Sequence, residues 1–181
     1  MISNDDNVMT HGSCACYPGL NAERKSPRAT FHDYSGGDYF VTVCTCEKQH
    51  YFGKIMEGKM LYTEIGNYCF NQISELQTHY PYVEVPIFVV MPNHIHAIIC
   101  IKNTDDQLTH EPCIPTSRTA LSVVIGGLKR SVTMYARRNN IDFGWQSRYH
   151  DHIIRNHRDG NNIAEYIANN ISRWDSDCFH S

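Results

Sequence analysis

Two runs of eight residues, separated by only three residues, constrain this chain more than any other feature. The runs are VEVPIFVV (83–90) and HIHAIICI (94–101), and Met91, Pro92 and Asn93 lie between them. Both runs are rich in β-branched residues, and Pro-Asn is a typical turn pair. We therefore predict a β-hairpin with a tight turn at Pro92-Asn93. Neither run approaches the ~20 apolar residues that a membrane helix requires.

The rest of the chain supplies one strand before this hairpin, one strand after it, and three helices. In order, we predict a strand at 39–46, a helix at 57–78, the hairpin, a helix at 118–138 capped by Ser117, a strand at 148–155 and a helix at 162–172. The order β-α-β-β-α-β-α predicts an α+β domain of ferredoxin-like or RRM-like type, with an antiparallel sheet and helices packed mainly on one face. Residues 1–37 have little periodicity, which indicates a loop-rich N-terminal arm before a single domain at 38–181.

Composition and charge narrow the class of protein. The 181 residues are 41% hydrophobic and 19% charged, which is typical of a globular protein and excludes a long disordered chain. The net charge is −3, yet residues 118–174 carry nine Lys and Arg against four Asp and Glu. Such a stretch is either a solvated helix face or a surface that binds phosphate, and the sequence leaves both open. Because neither a signal peptide nor a membrane segment is visible, we expect a soluble cytoplasmic protein.

The eight cysteines do not form a recognisable framework. Cys14/Cys16 and Cys44/Cys46 are C-x-C pairs, and the other four cysteines stand alone, without the spacing of a zinc ribbon. We expect reduced thiols, as is usual inside cells. A zinc site formed by His11, Cys14 and Cys16 is the alternative.

His94 and His96 are the sharpest candidates for chemistry. Alternate residues of a strand share a face, so both imidazoles point the same way, and Ile95 and Ala97 point the other way. Two imidazoles on one face can chelate a divalent ion such as Mn, Zn, Cu, Fe or Ni. Mg fits as well if a substrate phosphate completes its coordination. The same pattern also occurs as two ordinary surface histidines beside a turn.

The last predicted helix offers a second candidate. Ile163 and Ile167 belong to its packing stripe, and Tyr166 and Asn170, four residues apart, lie on the stripe beside it. A tyrosine can form a covalent intermediate, and an amide oxygen one turn away can ligate a metal. The alternative is that Tyr166 is an aromatic residue at the edge of the core.

Other residues compete for these roles. Tyr149 and Tyr135 are the alternative nucleophiles. Tyr149 is followed by His150, Asp151 and His152, which could bind a metal of their own. The favoured interpretation of those three residues is a strand whose polar side chains pack beside the site.

Four motifs carry a resemblance to a known family. They are VVMPNHIHAIICI, VIGGLKRSVT, WQSRYHDHIIRN and IAEYIANN, within a stretch from Tyr39 to Trp174 that makes up most of the chain. In this order they resemble the HUH-superfamily single-tyrosine transposases of insertion-sequence-200-like type, particularly the REP-associated tyrosine transposase branch. Ile171 follows Asn170 at a position where much of that branch has a proline.

The resemblance implies a metal-dependent single-stranded DNA endonuclease and strand transferase that acts in DNA transposition or repeat-element processing. It implies that His94 and His96, with Asn170 as a polar third ligand, hold Mg or Mn at the scissile phosphate. It makes Tyr166 the nucleophile, which takes the 5′ phosphate and releases a 3′ hydroxyl. The implied partner is single-stranded, hairpin-forming DNA in the bacterial nucleoid, and relatives that handle two DNA ends generally act as homodimers.

Phosphate contacts are expected from the basic part of the chain. The candidates are Lys129, Arg130, Arg137, Arg138, Arg148 and Arg155. Lys129 comes first because it follows Gly126-Gly127 in the second motif. Glycine costs about 1 kcal/mol in the middle of a helix, so this pair predicts a close approach to another backbone or to a ligand.

The rival function is a non-catalytic RRM-like module that binds single-stranded nucleic acid. RRM domains stack bases on aromatic side chains of their central strands. Here the strand after the turn presents His94, His96, Ile98 and Cys100, which favours metal binding over stacking.

Overall fold

A computed structural model of the chain describes residues 36–102, 119–177, 179 and 180. Its strands are β1 (Gly37–Cys44), β2 (Gly53–Met56), β3 (Lys59–Tyr62), β4 (Val83–Val90), β5 (His94–Ile101) and β6 (His150–Ile153). Its helices are α1 (Glu64–Ser74), α2 (Leu76–His79), α3 (Ala120–Arg138) and α4 (His157–Ala168), and short 3-10 helices lie at Cys46–Lys48 and Ile171–Ser176. The candidate zinc residues and the Ser117 cap lie outside the described residues, as does nearly all of the predicted arm.

The main sheet has four strands in the order β4-β5-β1-β6, and every neighbouring pair is antiparallel. The hairpin predicted around Pro92-Asn93 is confirmed as β4 and β5. The central strand β1 places Cys44 opposite His94 and Thr42 opposite His96. The predicted ferredoxin-like α+β class is therefore confirmed.

Helices cover both faces of this sheet unequally. Side chains of β1, β5, α1 and α3 share one buried core, which contains Val41, Val43, Ile95, Ile99, Ile73, Leu121 and Leu128. On the opposite face, α4 packs Ile163 and Ile167 against Phe40 and Ile98. Two of the three longer helices thus lie on one face, as predicted, and α4 is the longer helix on the face that carries His94 and His96.

The helix predicted at 57–78 is wrong in its first part. Residues 53–62 form the β2–β3 hairpin, and its two-residue turn has Glu57 at φ 52° and Gly58 at φ 69°. Two positive φ values are the geometry of a tight turn that matches strand twist. The helix then begins at Glu64, because the Thr63 side chain accepts the Gly66 amide at 3.2 Å as an N-cap.

The later elements lie close to their predicted positions, with shifted ends. The Thr119 side chain caps α3 by accepting the Ser122 amide, and Asn156 caps α4 by accepting the Asp159 amide at 2.9 Å. This cap starts α4 at His157, five residues before its predicted start.

The close approach predicted by the glycine pair of α3 occurs at Gly127 only. A Cβ at position 127 would collide with the Tyr80 hydroxyl, whereas a Cβ at Gly126 would meet no atom within 4 Å. The neighbour is a side chain rather than a backbone or a ligand.

Candidate active site

His94 and His96 lie on the face of β5 that packs against α4. Their exposed fractions are 0% and 2%, and their ring centroids are 4.5 Å apart. The alternation predicted from sequence is confirmed, because Ile95 belongs to the core on the other face. The alternative of two surface histidines is wrong, since both imidazoles are buried beneath α4 and the C-terminal residues.

His96 has a polar neighbour at each ring nitrogen. Its Nδ1 lies 2.9 Å from Oγ1 of Thr42, the residue opposite it on β1. Its Nε2 lies 3.3 Å from the Tyr166 hydroxyl on α4. Phe40 packs against both rings, with centroid distances of 5.2 Å to His96 and 6.1 Å to Tyr166. The phenol oxygen of Tyr166 is therefore held against an imidazole nitrogen.

His94 is held by the residue that precedes it. Its Nδ1 lies 2.8 Å from Oδ1 of Asn93, which is fully buried. The Asn93 amide nitrogen donates to the backbone oxygens of Phe179 at 2.8 Å and Lys48 at 3.2 Å, which orients the amide with its oxygen toward the ring. An amide oxygen can only accept, so Nδ1 of His94 carries the hydrogen. Its Nε2 is buried and finds no hydrogen-bond partner among the described residues.

Asn170 completes the set of buried polar side chains. It follows α4 with helical backbone angles and is 2% exposed. Its amide donates a hydrogen bond to the Asp177 carboxylate. Its Oδ1, like Nε2 of His94, is buried without a partner in the described part of the chain. Two lone pairs at this face thus have no hydrogen-bond partner among the described residues.

The C-terminal residues close this face. The Phe179 ring lies 4.3 Å from the His94 ring between centroids, and Trp174 lies 6.1 Å from it. The Lys48 ammonium lies 5.7 Å from the centre of the Phe179 ring. The apolar rings explain why both histidines are removed from solvent.

Burial keeps both imidazoles neutral. It lowers the pKa of His94 well below 6.5, with smaller effects of His96, Lys48 and His50 in the same direction. It lowers the pKa of His96 to about 3. A neutral imidazole is the form that ligates a metal.

Among the three candidate nucleophiles, only Tyr166 contacts the histidines. The Tyr149 hydroxyl lies 3.2 Å from Ser122 Oγ on α3, at the other face of the sheet. Tyr135 stacks on Tyr68 with ring centroids 4.1 Å apart, at the edge of the main core. Both therefore have structural contacts away from His94 and His96.

Sequence comparison identifies a relative over most of the chain. An uncharacterised protein of Haemophilus influenzae is 36% identical over 165 residues, which cover 85% of this chain and 91% of that protein. The chain belongs to the same family as this protein. No sequence profile of a known protein family matches the chain.

The fold of this family can be compared with solved structures. A REP-associated tyrosine transposase bound to a REP hairpin superposes with a TM-score of 0.55 at 20% identity, covering 81% of this chain and 72% of the transposase. The chain therefore shares the fold of this transposase, as the four motifs predict. A Deinococcus radiodurans R1 protein named as a candidate transposase gives a TM-score of 0.44 at 16% identity, over 78% of this chain and 95% of that one, which is too low to bear on the fold.

Lys129, the first candidate for a DNA contact, is engaged within the transposase fold. Its ammonium donates to the backbone oxygen of Gln146 at 2.6 Å and lies 3.5 Å from that of Arg148. Burial lowers its pKa. The backbone oxygen of Lys129 in turn accepts the indole N–H of Trp145 at 3.1 Å. Lys129 therefore fixes the segment that leads into β6.

The candidate arginines are placed differently. Arg130, Arg137, Arg138, Arg148 and Arg155 are all exposed, and within residues 36–102, 119–177, 179 and 180 none of them forms an ion pair. Those on α3 lie on the sheet face opposite to His94 and His96. The structure brings together His94, His96, Tyr166 and Asn170, but it does not bring the α3 arginines to them.

His150, Asp151 and His152 do not converge on one point, because alternate residues of β6 face opposite ways. His152 is opposite Phe40 on β1 and contacts Asp159 of α4 at 2.9 Å. Asp151 is opposite Val41, on the other face. Only His152 packs beside the site, as the favoured interpretation holds; that interpretation is wrong for Asp151, which lies on the other face, and His150 is exposed.

The chemistry of the donor set can be compared with that of the predicted metal. Within the described residues, no group of three or more His, Cys, Asp or Glu side chains is arranged to hold a metal ion. The set found here has two neutral imidazoles and one amide oxygen, and two of its lone pairs have no partner within the described ranges. Imidazole nitrogen and amide oxygen suit Mn, and phosphate oxygens can complete the coordination of Mn or Mg. The residues therefore fit the implied ion.

Sequence reasoning missed the residues that orient this set. Thr42 was recognisable only as one polar position of a strand, and Asn93 only as a turn residue. Asp177 lies beyond the last motif. The position of Asn93 directly before the first histidine was the one local signal available.

Two further expectations concern the environment of the protein. The described cysteines Cys44, Cys46, Cys69 and Cys100 are free thiols, and the remaining four lie outside the described residues. Across the described ranges, no helix is both long and apolar enough to span a bilayer.

Proposed function

We propose that the protein is a metal-dependent, HUH-type tyrosine transposase that cleaves and rejoins single-stranded DNA. One observation supports this more than any other. The Tyr166 hydroxyl lies 3.3 Å from Nε2 of His96, and the same face carries two buried lone pairs, on His94 and Asn170, that have no partner in the described part of the chain. A nucleophilic oxygen next to side chains that can ligate a metal is the arrangement that metal-assisted phosphoryl transfer requires.

The metal would be held by His94 and His96 through Nε2 and by Asn170 through Oδ1. Bound there, Mg or Mn supplies Lewis-acid polarisation of the scissile phosphate. The protein contributes neutral ligands already desolvated before the metal arrives, since burial lowers the pKa of both histidines. These ligands need lose no proton to bind.

Tyr166 carries the covalent step. Its phenol oxygen attacks the scissile phosphorus, and the bond from phosphorus to the 3′ oxygen of the preceding nucleotide breaks. The phosphate stays on Tyr166 as a 5′-phosphotyrosine, and the released 3′ oxygen receives the proton that the phenol loses. Because the ester bond is conserved, a second 3′ hydroxyl can reverse the reaction and rejoin the strand without ATP.

The substrate in this proposal is single-stranded DNA with a hairpin, as in the REP hairpin bound by the solved transposase. The exposed arginines of α3 lie away from the nucleophile, so they would hold DNA outside the cleaved bond. Action in the bacterial nucleoid and a homodimer that handles two DNA ends belong to the same proposal.

In the described part of the chain, helices cover both faces of the sheet that the competing RRM-like binding module would use. An RRM stacks bases on aromatics exposed on its sheet. Here Phe40 and Ile98 are 3% and 6% exposed, beneath Ile163 and Ile167 of α4. This burial favours the enzyme over the binding module.

The test is formation of a covalent adduct. The full chain is incubated with Mn and labelled single-stranded hairpins from the DNA that flanks its own gene. We expect a band that resists denaturation, and mass spectrometry should map it to Tyr166. Tyr166→Phe should retain DNA binding without forming the adduct, whereas Tyr149→Phe, the matched control, should form it normally.

Other outcomes would contradict the proposal. An adduct that persists in Tyr166→Phe assigns the nucleophile elsewhere. Metal-dependent DNA binding without any adduct, across several flanking hairpins, favours a binding module instead.

A further inference from the structure

The three candidate ligands share a pattern that the proposed function does not require in itself. Each has one polar atom in contact with a neighbouring side chain of the protein. Nδ1 of His94 contacts Asn93, Nδ1 of His96 contacts Thr42, and the amide nitrogen of Asn170 contacts Asp177. In each case the atom that would ligate a metal is the other one.

We propose that Asn93 and Thr42 are positioning residues that hold His94 and His96 as Nδ1–H tautomers, so that both rings present Nε2 to the site. This inference rests on the proposed function, because the metal of that function is what Nε2 would bind. The tautomers themselves are properties of the protein without metal. Neither residue is assigned a role by the four sequence motifs.

Asn93 is itself fixed by its neighbours. Its amide nitrogen donates to two backbone oxygens, of Phe179 and Lys48, so the side chain cannot flip without losing both bonds. Its oxygen must then face the His94 ring at 2.8 Å and can only accept. The hydrogen of His94 is thus on Nδ1, and Nε2, which has no partner among the residues that the structure describes, carries the lone pair.

Thr42 acts on His96 from the neighbouring strand. It is 7% exposed, and the β1–β5 register sets it directly opposite His96. When Thr42 Oγ1 accepts from Nδ1, the lone pair on Nε2 faces the Tyr166 hydroxyl, which can donate to it. Such contacts behind a ligating histidine set its tautomer and ring orientation, and losing one typically costs about ten- to a hundredfold in metal affinity.

Asp177 extends the pattern to Asn170. Its carboxylate accepts from the Asn170 amide and from the Phe179 backbone N–H at 2.9 Å. Holding the amide nitrogen leaves Oδ1 of Asn170 directed away from Asp177, without a partner in the described residues.

The first experiment uses the full chain without metal, labelled with ¹⁵N at histidine. Long-range ¹H–¹⁵N spectra distinguish the protonated from the unprotonated ring nitrogen. We expect Nδ1–H tautomers for both His94 and His96. In Thr42→Val, which keeps the side-chain shape, His96 should shift toward Nε2–H, whereas Thr42→Ser should retain the wild-type spectrum. Nε2–H tautomers in the wild-type protein would overturn the proposal.

The second experiment measures Mn affinity by calorimetry in the same variants. Thr42→Val should weaken binding about ten- to a hundredfold, and Thr42→Ser should restore it to within about threefold. Asn93→Asp keeps the acceptor for His94 but loses the amide donor, so it should bind Mn far better than Asn93→Leu. Equal affinity in Thr42→Ser and Thr42→Val would overturn the role of Thr42, even if the Asn93 variants fold poorly.

The two proposals fail separately. Nδ1–H tautomers in a wild-type protein that binds no Mn would support the positioning roles and contradict the metal site. Mn-dependent DNA cleavage with Nε2–H tautomers would support the metal site and contradict the positioning roles.

Discussion

The hydroxyl of Tyr166 lies 3.3 Å from Nε2 of His96, although the two residues are 70 positions apart in the chain. The contact joins α4 to β5 across a face on which His96 is nearly fully buried. The phenol therefore contacts the same nitrogen that the proposed metal would need. Metal and hydroxyl compete for one lone pair in this arrangement.

Removing the Tyr166 hydroxyl should therefore preserve or tighten metal binding. In Tyr166→Phe, Nε2 of His96 loses its neighbour, and we expect the dissociation constant for Mn to stay the same or fall. His96→Ala should raise it at least about tenfold, because it removes a ligand. Calorimetric titration of both variants measures this. Weaker binding in Tyr166→Phe would identify the hydroxyl as a ligand rather than a competitor.

The buried histidines should make the metal-free protein sensitive to acid. In the unfolded chain they accept protons as the pH falls through about 6.5, whereas folded His96 does so only near 3. Between these values the unfolded state binds more protons, so the free energy of unfolding falls as the pH falls. Each histidine contributes about 1.4 kcal/mol per pH unit.

Urea unfolding at pH 7.5, 5.5 and 4.5 measures this dependence. Other groups titrate in the same range, so the wild-type protein is compared with His96→Gln. In this variant the free energy of unfolding should depend less steeply on pH, by the contribution of one histidine. Identical slopes in the two proteins would show that His96 takes up its proton over the same pH range in the folded and the unfolded state.

Substitution by alanine should change the stability of the protein differently at the two glycines of α3. Gly126 is exposed with no atom near its missing Cβ, so Gly126→Ala should stabilise the protein by about 1 kcal/mol through helix propensity. Gly127→Ala gains the same propensity but collides with the Tyr80 hydroxyl, so it should be less stable than Gly126→Ala. Thermal unfolding compares the two. Tyr80→Phe should recover part of the difference in the Gly127→Ala background, and equal stabilisation by both alanines would contradict the close approach.

The basic residues should separate into DNA-binding and structural groups. Arg130→Ala and Arg137→Ala remove exposed charges without ion pairs in the described residues, so each should weaken binding of single-stranded DNA. Each should also reduce the slope of log K against log salt by about 0.7, without changing stability. Lys102→Ala is the control variant, because Lys102 is already paired with Glu84. Fluorescence titrations at several salt concentrations measure the slopes, and an unchanged slope in Arg130→Ala would exclude that residue from the interface.

Lys129→Met should behave differently from the arginine variants. The ammonium holds the backbone oxygen of Gln146 at 2.6 Å, so its loss should destabilise the protein by about 1 kcal/mol. Hydrogen exchange should rise in residues 144–148, which this contact fixes. Unchanged exchange there, together with weaker DNA binding, would restore Lys129 as a direct DNA contact.

Local patterns determined much of the fold and the composition of the candidate site. The alternation of HIHAIICI assigns His94 and His96 to one face, since strand geometry alone decides which side chains share a face. The four-residue spacing of Tyr166 and Asn170 places them one helical turn apart for the same reason. The β2–β3 hairpin escaped prediction because Glu57-Gly58 is a weak turn signal, and its φ values become visible only in the structure.

The tertiary structure decided which face is buried, by what, and how each ligand is oriented. Thr42 meets His96 across 54 residues and Asn93 meets Phe179 across 86, through the register of β1 with β5 and the return of the C-terminal residues. No local pattern encodes such contacts, because they depend on how strands pair and helices pack. The sequence by itself therefore determined the chemical groups of the site. Only the packing of α4 and Phe179 over β5 made those groups neutral, desolvated and partnered on one side, because desolvation is a property of the assembled core.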